Sequence, residues 1–182
     1  MKALSLIQPY ATLIVLGYKQ FETRSWKTKH RGQLAIAASA GKPAWARQVC
    51  ATDPIISALP KKHHLTFDTL PRGVVLGTCF VDKVYEVEKL PYGLSATERA
   101  CGDYSAGRYA WQLSEVREAG AEVPCKGALS LWEVPYEVVQ KLNCPRCCES
   151  LDIDAVSPCF CDGEGQPEPD GEPAYASDGQ PY

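Results

Sequence analysis

The stretch from Gly73 to Val87 constrains this chain most. It reads Gly-Val-Val-Leu-Gly-Thr-Cys-Phe-Val-Asp-Lys-Val-Tyr-Glu-Val. Valine dominates it, with Cys79, Phe80 and Tyr85 interspersed, and this is the strongest strand signal in the sequence. A strand needs partners, and shorter runs supply them. Lys2 to Leu6 can open a sheet, Phe21 to Ser25 alternates weakly, and Leu34 to Ala38 reads as a buried strand. Tyr109, Trp111 and Leu113 alternate with Ala110, Gln112 and Ser114 as in a half-buried strand, which runs to Val116. Gly127 to Val134 is a further strand, ended by Pro135. Helices are expected at Tyr10 to Leu16, opened by Pro9 and closed by Gly17, at Pro43 to Cys50, and at Tyr136 to Leu142. In the second of these, Trp45 and Val49 share one face. Residues 51 to 72 show no periodicity and read as a surface excursion. Pro91 to Gly107 reads as a loop with one helical turn near Ala96 to Cys101. About six short strands with a few helices, in no regular alternation, predict an α+β fold built on a small barrel.

The longest apolar run, Ala11 to Leu16, falls far short of the ~20 residues that cross a bilayer. Polar Gln8-Pro9-Tyr10 breaks the N-terminus where a secretory leader would be apolar, so a cytoplasmic location is expected. The formal charge of -3 conceals a split. Residues 1–148 hold 19 basic and 13 acidic side chains, whereas residues 149–182 hold nine acidic and no basic ones. The basic excess gathers at Lys19, Arg24, Lys27, Lys29, His30 and Arg31, opposed there only by Glu22, and such a patch attracts phosphate.

That patch lies in an unusual constellation. A short helix, the Gly17 cap and a strand carry Lys19, Glu22 and Arg24 in close succession. Side chains alternate along a strand, so Glu22 and Arg24 share a face, and Lys19 at the strand entrance can lean over the same place. Two cations suit a phosphate or a carbonyl oxygen. The carboxylate between them can accept from a base amino group, orient the cations, or act as a base.

The pattern Gly17-x-Lys19-x-x-Glu22-x-Arg24 after Leu4-Ser-Leu-Ile-Gln-Pro-Tyr-Ala11 resembles the ASCH domain, a member of the PUA-like superfamily. Arg31-Gly32, Gly107-Arg-Tyr-Ala-Trp111 and Lys126-Gly-Ala-Leu-Ser-Leu-Trp132 extend the resemblance over roughly Met1 to Pro135. It implies a small β-barrel of about six strands with flanking helices. It also implies a cleft in which Lys19, Glu22 and Arg24 face a nucleic acid or nucleoside. The resemblance covers members that bind RNA or DNA, members similar to ribonucleases, and a branch that hydrolyses the acetyl amide of N4-acetylcytidine with a Lys, a Thr and a Glu. Lys19 matches that Lys. The Thr falls where this chain has Glu22, and Asp82, Glu86 and Glu88 stand near the place of the Glu.

Two readings follow. In the first, the chain binds RNA or a modified nucleotide: Lys19, Arg24 and Lys126 contact phosphate, Glu22 reads or orients, and Tyr10, Trp26 or Trp111 stacks a base. Strand alternation favours core packing for Trp111 and Trp132, whereas Trp26 lies among polar residues and is expected to be exposed. In the second reading the same cleft is catalytic, with Lys19 and Glu22 acting on a nucleobase amide or an RNA phosphodiester. A lysine serves as nucleophile or base only when burial or a cationic neighbour lowers its pKa, and a carboxylate neighbour works against that, which favours binding. His30, His63 and His64 are further candidate acids or bases, with a solvated loop favoured for the last two.

Nine cysteines cannot all pair with one another, and five of them lie within 18 residues, in Cys144-Pro-Arg-Cys147-Cys148 and Cys159-Phe-Cys161. Cys144, Cys147, Cys159 and Cys161 form a candidate tetrahedral zinc site, structural because four thiolates leave no open position. Cys148 competes with Cys147 as a ligand, and the second pair is Cys-x-Cys rather than the usual Cys-x2-Cys. The first pair resembles the turn of a zinc-ribbon knuckle. The expected organisation is an ASCH/PUA-like domain over residues 1–142, a Cys-rich zinc knuckle over 143–165, and a disordered acidic Gly/Pro-rich tail over 166–182. Charge complementarity alone suggests that the tail folds over the basic cleft as a mimic of nucleic acid.

Overall fold

The fold was obtained as a computed structural model, which describes residues 1–91 and 93–142. Six strands form it: β1 (Lys2–Leu6), β2 (Phe21–Arg24), β3 (Gly32–Ala38), β4 (Val74–Glu86), β5 (Tyr109–Pro124) and β6 (Leu131–Glu133). They make one sheet in the order β2-β5-β4-β3-β1-β6. All pairs are antiparallel except β1 with β3, which run parallel with Leu4 opposite Ile36. A parallel pair requires a crossover. Helix α1 (Tyr10–Val15) and β2 supply it, and this places the segment around Lys19 beside the end of β1.

The period of two along β1 and β3 divides the apolar residues between the faces of the sheet. Leu4, Leu6, Leu34 and Ile36 pack with Ile14 of α1 and with Trp111. Ala3, Ala35 and Ala37 face the other way, against Val138 and Leu142 of α5 (Tyr136–Leu142). The long β4 and β5 shift register three times, between Val75 and Gly77, Thr78 and Phe80, and Val81 and Lys83. Bulges bend and twist the strands that carry them. At Gly77 the chains approach so closely that a Cβ would collide with the carbonyl of Arg117. The sheet therefore curls into a half-barrel, and β2 at one end comes within reach of β1: an Arg24 Nη2 donates to the Ser5 carbonyl at 3.4 Å.

Three elements differ from expectation. The excursion at 51–72 contains a helix, α3 (Pro54–Lys62), after α2 (Ala44–Thr52). Asp53 caps α3, its Oδ1 accepting from the amides of Ile55 and Ile56 at 2.9 Å each. Proline at the first helical position and two lysines at the last suit such a helix. The strand expected to end at Val116 runs on to Pro124, because its exposed second half pairs with β4 without burying alternate residues. The strand expected over Gly127 to Val134 is reduced to the three residues of β6. The remaining helix, α4 (Ala96–Ala100), is the single turn foreseen there. Among the described residues no helix is long and apolar enough to cross a membrane.

Candidate functional site

Gly17, at φ +77°, turns the chain back on the end of α1, where the amides of Tyr18 and Lys19 both donate to the Leu13 carbonyl. Only a residue free of a Cβ holds that conformation without strain. The turn delivers Lys19 to the entrance of β2, and the strand then presents Glu22 and Arg24 beside it. Glu22 engages both cations: Oε1 lies 2.9 Å from Arg24 Nε and Oε2 lies 3.5 Å from Lys19 Nζ. The Lys19 side chain is 2% exposed and that of Glu22 8%. Two cations on one buried carboxylate leave a surplus positive charge, which suits an anionic or acceptor-rich ligand.

A second buried carboxylate holds this segment in place. Glu98 of α4 accepts from the amides of Gln20 and Phe21 at 2.7 and 3.2 Å, and from the Tyr104 hydroxyl at 2.6 Å. Burial and the Glu98 carboxylate push the Tyr104 phenol well above its usual range. The Thr23 carbonyl accepts from Arg108, and its hydroxyl accepts from the Asp103 amide. The outer edge of β2 is thus covered by side chains from residues 98–108 rather than by another strand.

Above the triad opens a cavity of about 620 Å³, within the ~300–1,000 Å³ range of small-molecule sites. Lys19, Glu22 and Arg24 line it, with Arg108 and the stretch 100–103 forming one wall. Arg108 is tied to Asp103 at 3.3 Å. Two hydrogen bonds from Ser105, together with Arg108, hold the Asp103 carboxyl below its usual range. Cys101 also lines the cavity, and burial pushes its thiol up to about 11 although Lys19 pulls the other way. Tyr10 and Trp45 line the cavity as a stacked pair, with ring centroids 6.5 Å apart and planes 26° from parallel. Burial raises the Tyr10 phenol above its ordinary value.

Of the residues singled out in the sequence, Lys19, Glu22, Arg24 and Tyr10 come together here. Lys126 lines a second cavity of about 650 Å³ that adjoins the first. Trp26 is half-buried and lines neither. It packs edge-on against Trp111 at 4.7 Å, because the pairing of β2 with β5 brings the end of β2 over that indole. Trp111 is completely buried, as its alternation predicts, and among the described residues its Nε1 has no hydrogen-bond partner. His30 lies 3.0 Å from the Gln33 carbonyl and His63 lies 3.1 Å from the Tyr18 hydroxyl, and neither histidine lines a cavity. Asp82, Glu86 and Glu88 also lie outside both. The candidate zinc ligands Cys144, Cys147, Cys159 and Cys161, and the acidic tail, lie outside the described residues. Among the described residues no group of three or more His, Cys, Asp or Glu side chains is placed to hold a metal ion.

Sequence reasoning missed Trp45 and Arg108. Trp45 was placed only on one helical face with Val49, and it is 50% exposed at the cavity, while its neighbour Ala46 is the buried residue of α2. The Gly107-Arg108-Tyr109 run was noted, but nothing in its local pattern reveals that Arg108 reaches back to β2.

The family model for the ASCH domain matches residues 4–122. Activating signal cointegrator 1 of Homo sapiens is 30% identical over 142 residues, which is 75% of this chain and 23% of that protein. The Mus musculus protein of the same name is 28% identical over the same shares. The chain therefore spans about a quarter of the length of these relatives. Among solved structures, the Zymomonas mobilis ASCH protein is 18% identical with a TM-score of 0.46, covering 78% of this chain and 92% of that one. A point mutant of the same Zymomonas mobilis protein gives 0.45 at 18% identity, covering 78% and 94%.

Proposed function

The chain belongs to the ASCH domain family, and from that premise we propose that it binds single-stranded RNA or a modified nucleotide in the cavity above Lys19, Glu22 and Arg24. The observation that carries this reading is the cation–carboxylate–cation triad, with Lys19 and Glu22 buried and Arg24 half-buried, beside a cavity large enough for one nucleotide. Lys19 and Arg24 meet phosphate or carbonyl oxygens, Glu22 fixes both cations, and the Tyr10–Trp45 pair offers a face for a base.

Two observations favour binding over amide hydrolysis or RNA cleavage in the same cavity. Both oxygens of Glu22 are already engaged, one by each cation. The carboxylates near the place of the hydrolase Glu, at 82, 86 and 88, do not line the cavity. A lysine bound to a carboxylate is suited to hold an anion rather than to attack a carbonyl.

The test is titration of fluorescent single-stranded RNA at several salt concentrations, with N4-acetylcytidine and labelled RNA incubated in parallel. The unmodified chain is expected to bind in a salt-dependent manner and to leave both substrates intact. Arg24→Ala should weaken binding and lower the salt slope by ~0.7, the value for one phosphate contact on a single strand. Trp45→Ala should cost ~1–3 kcal/mol without changing that slope, because stacking is not ionic. Unaltered RNA affinity in both variants removes this reading. Turnover of acetylcytidine replaces it with the hydrolase.

A further inference from the structure

The second cavity is not a separate site on another face. It shares Ser5, Ser39, Ala128 and Leu129 with the first, so the two open side by side along the loop between β5 and β6. Each is of nucleotide size, at about 620 and 650 Å³. We infer that the interface takes two successive nucleotides of a single strand, one in each cavity, with Leu129 between their bases and Ser5 facing the phosphate that links them. This rests on the nucleotide-binding reading above and extends it from one cavity to two.

Leu129 is 94% exposed at the boundary of the cavities. Its loop is pinned on one side, where Gly127 packs so closely on Ser5 that a Cβ would collide with the Ser5 hydroxyl, and turns on the other, where Ser130 holds a left-handed φ of 60°. An apolar side chain on an anchored turn is what proteins insert between successive bases. The hydroxyl beneath it has a defined polarity. Trp132 Nε1 donates to Ser5 Oγ at 3.0 Å, and an indole N–H can only donate. Ser5 Oγ therefore accepts there, and its own proton is left for an acceptor in the cavity. A phosphodiester carries acceptors only, so it complements the Ser5 hydroxyl. Lys126 is exposed in the second cavity and supplies the cation there that Lys19 and Arg24 supply in the first.

The experiment uses the full chain with 5′-phosphorylated homopolymers of each ribonucleotide, one, two and three residues long, titrated by calorimetry. The dimer of the preferred base is expected to bind about ten-fold tighter than its monomer, through the Leu129 contact and the Lys126 cation. The trimer should add less than about three-fold to that, because the second cavity ends the site. Leu129→Ala and Lys126→Ala should each lower the dimer-to-monomer ratio several-fold, and Leu129→Met should retain it. A monomer that binds as tightly as its dimer overturns the two-cavity inference and leaves the single-nucleotide reading standing. A gain from dimer to trimer equal to the first overturns it in favour of an open groove. Ratios unmoved by Leu129→Ala and Lys126→Ala overturn the assignment of the second cavity. If no oligomer or monomer binds, the nucleotide reading itself fails and takes this one with it.

Discussion

Glu22 holds Lys19 and Arg24 with one carboxylate, and all three charges come from six consecutive residues. The Lys19 side chain is 2% exposed, so its ammonium has given up almost all its water for this contact. Removing one partner of a buried pair leaves an uncompensated charge, at a cost of ~3–5 kcal/mol, whereas replacing both with apolar groups is often neutral. Glu22→Ala is therefore expected to lower unfolding free energy by that order. The double variant Lys19→Met with Glu22→Leu should lose clearly less than the two single variants summed. Urea denaturation of the four proteins measures the coupling, and simple additivity would show that the pair is not energetically linked. This part of the site was legible because it follows from strand periodicity and one helix cap, both local. Trp45 was not legible. The sequence Ala44-Trp-Ala-Arg-Gln-Val49 places an aromatic and a valine on one helical face, but only the cavity beyond α2 decides that the tryptophan points outward.

At the scale of elements, α4 matters more than its five residues suggest. It carries Glu98, which accepts three hydrogen bonds and anchors the two residues between Lys19 and Glu22. Glu98→Ala leaves the Gln20 and Phe21 amides without that acceptor, at ~1–3 kcal/mol for each buried donor left unpaired. Tyr104→Phe removes one donor and leaves the carboxylate bonded to both amides. The first variant is expected to lower the urea midpoint markedly and to speed amide exchange at Gln20 and Phe21. The second should do little at either amide, and equal exchange in the two variants would refute the anchoring role. The single helical turn itself was legible at Ala96 to Cys101, but its partner 78 residues earlier was not, since no local pattern encodes a contact across that distance. Helix α3 went unseen although Asp53-Pro54 marks a helix start. With Pro60 within it, and the polar run Lys61 to His64 across its end, the whole stretch shows no clear periodicity and reads as a surface excursion. β6 was overestimated because Gly127 to Ser130 continue its apolar character while turning away to line the cavities.

Over the whole molecule, the thiols of the described residues are held in their neutral form by burial. Burial pushes Cys79 up to about 12, and Cys50 and Cys101 each to about 11, from an ordinary value of 9.0. A thiol whose pKa is raised on folding stabilises the fold fully below its unfolded pKa, and that contribution is lost as pH rises toward the folded value. The urea midpoint is expected to stay level from about pH 7 to 8.5 and to fall above about pH 9. Cys79→Ala should make that fall shallower, and a midpoint that stays level above pH 9 would contradict the burial argument. The charge of the whole chain, -3, is a poor guide to the charge of its cavity, since the described body carries the basic excess and Lys19 and Arg24 line that cavity. The shape of that cavity has a simple origin. β6 pairs with β1 only from Lys2 to Leu4, so the backbone of Ser5 and Leu6 has no strand beyond it, and Arg24 rather than a neighbouring amide meets the Ser5 carbonyl. The concavity is thus made in part by omission: along β1 the β6 pairing stops two residues short, and the stretch 100–103 with Arg108 walls the void that is left. A β6 that began two residues earlier would carry the pairing along Ser5 and Leu6, where Leu129 and Ser130 now line the void.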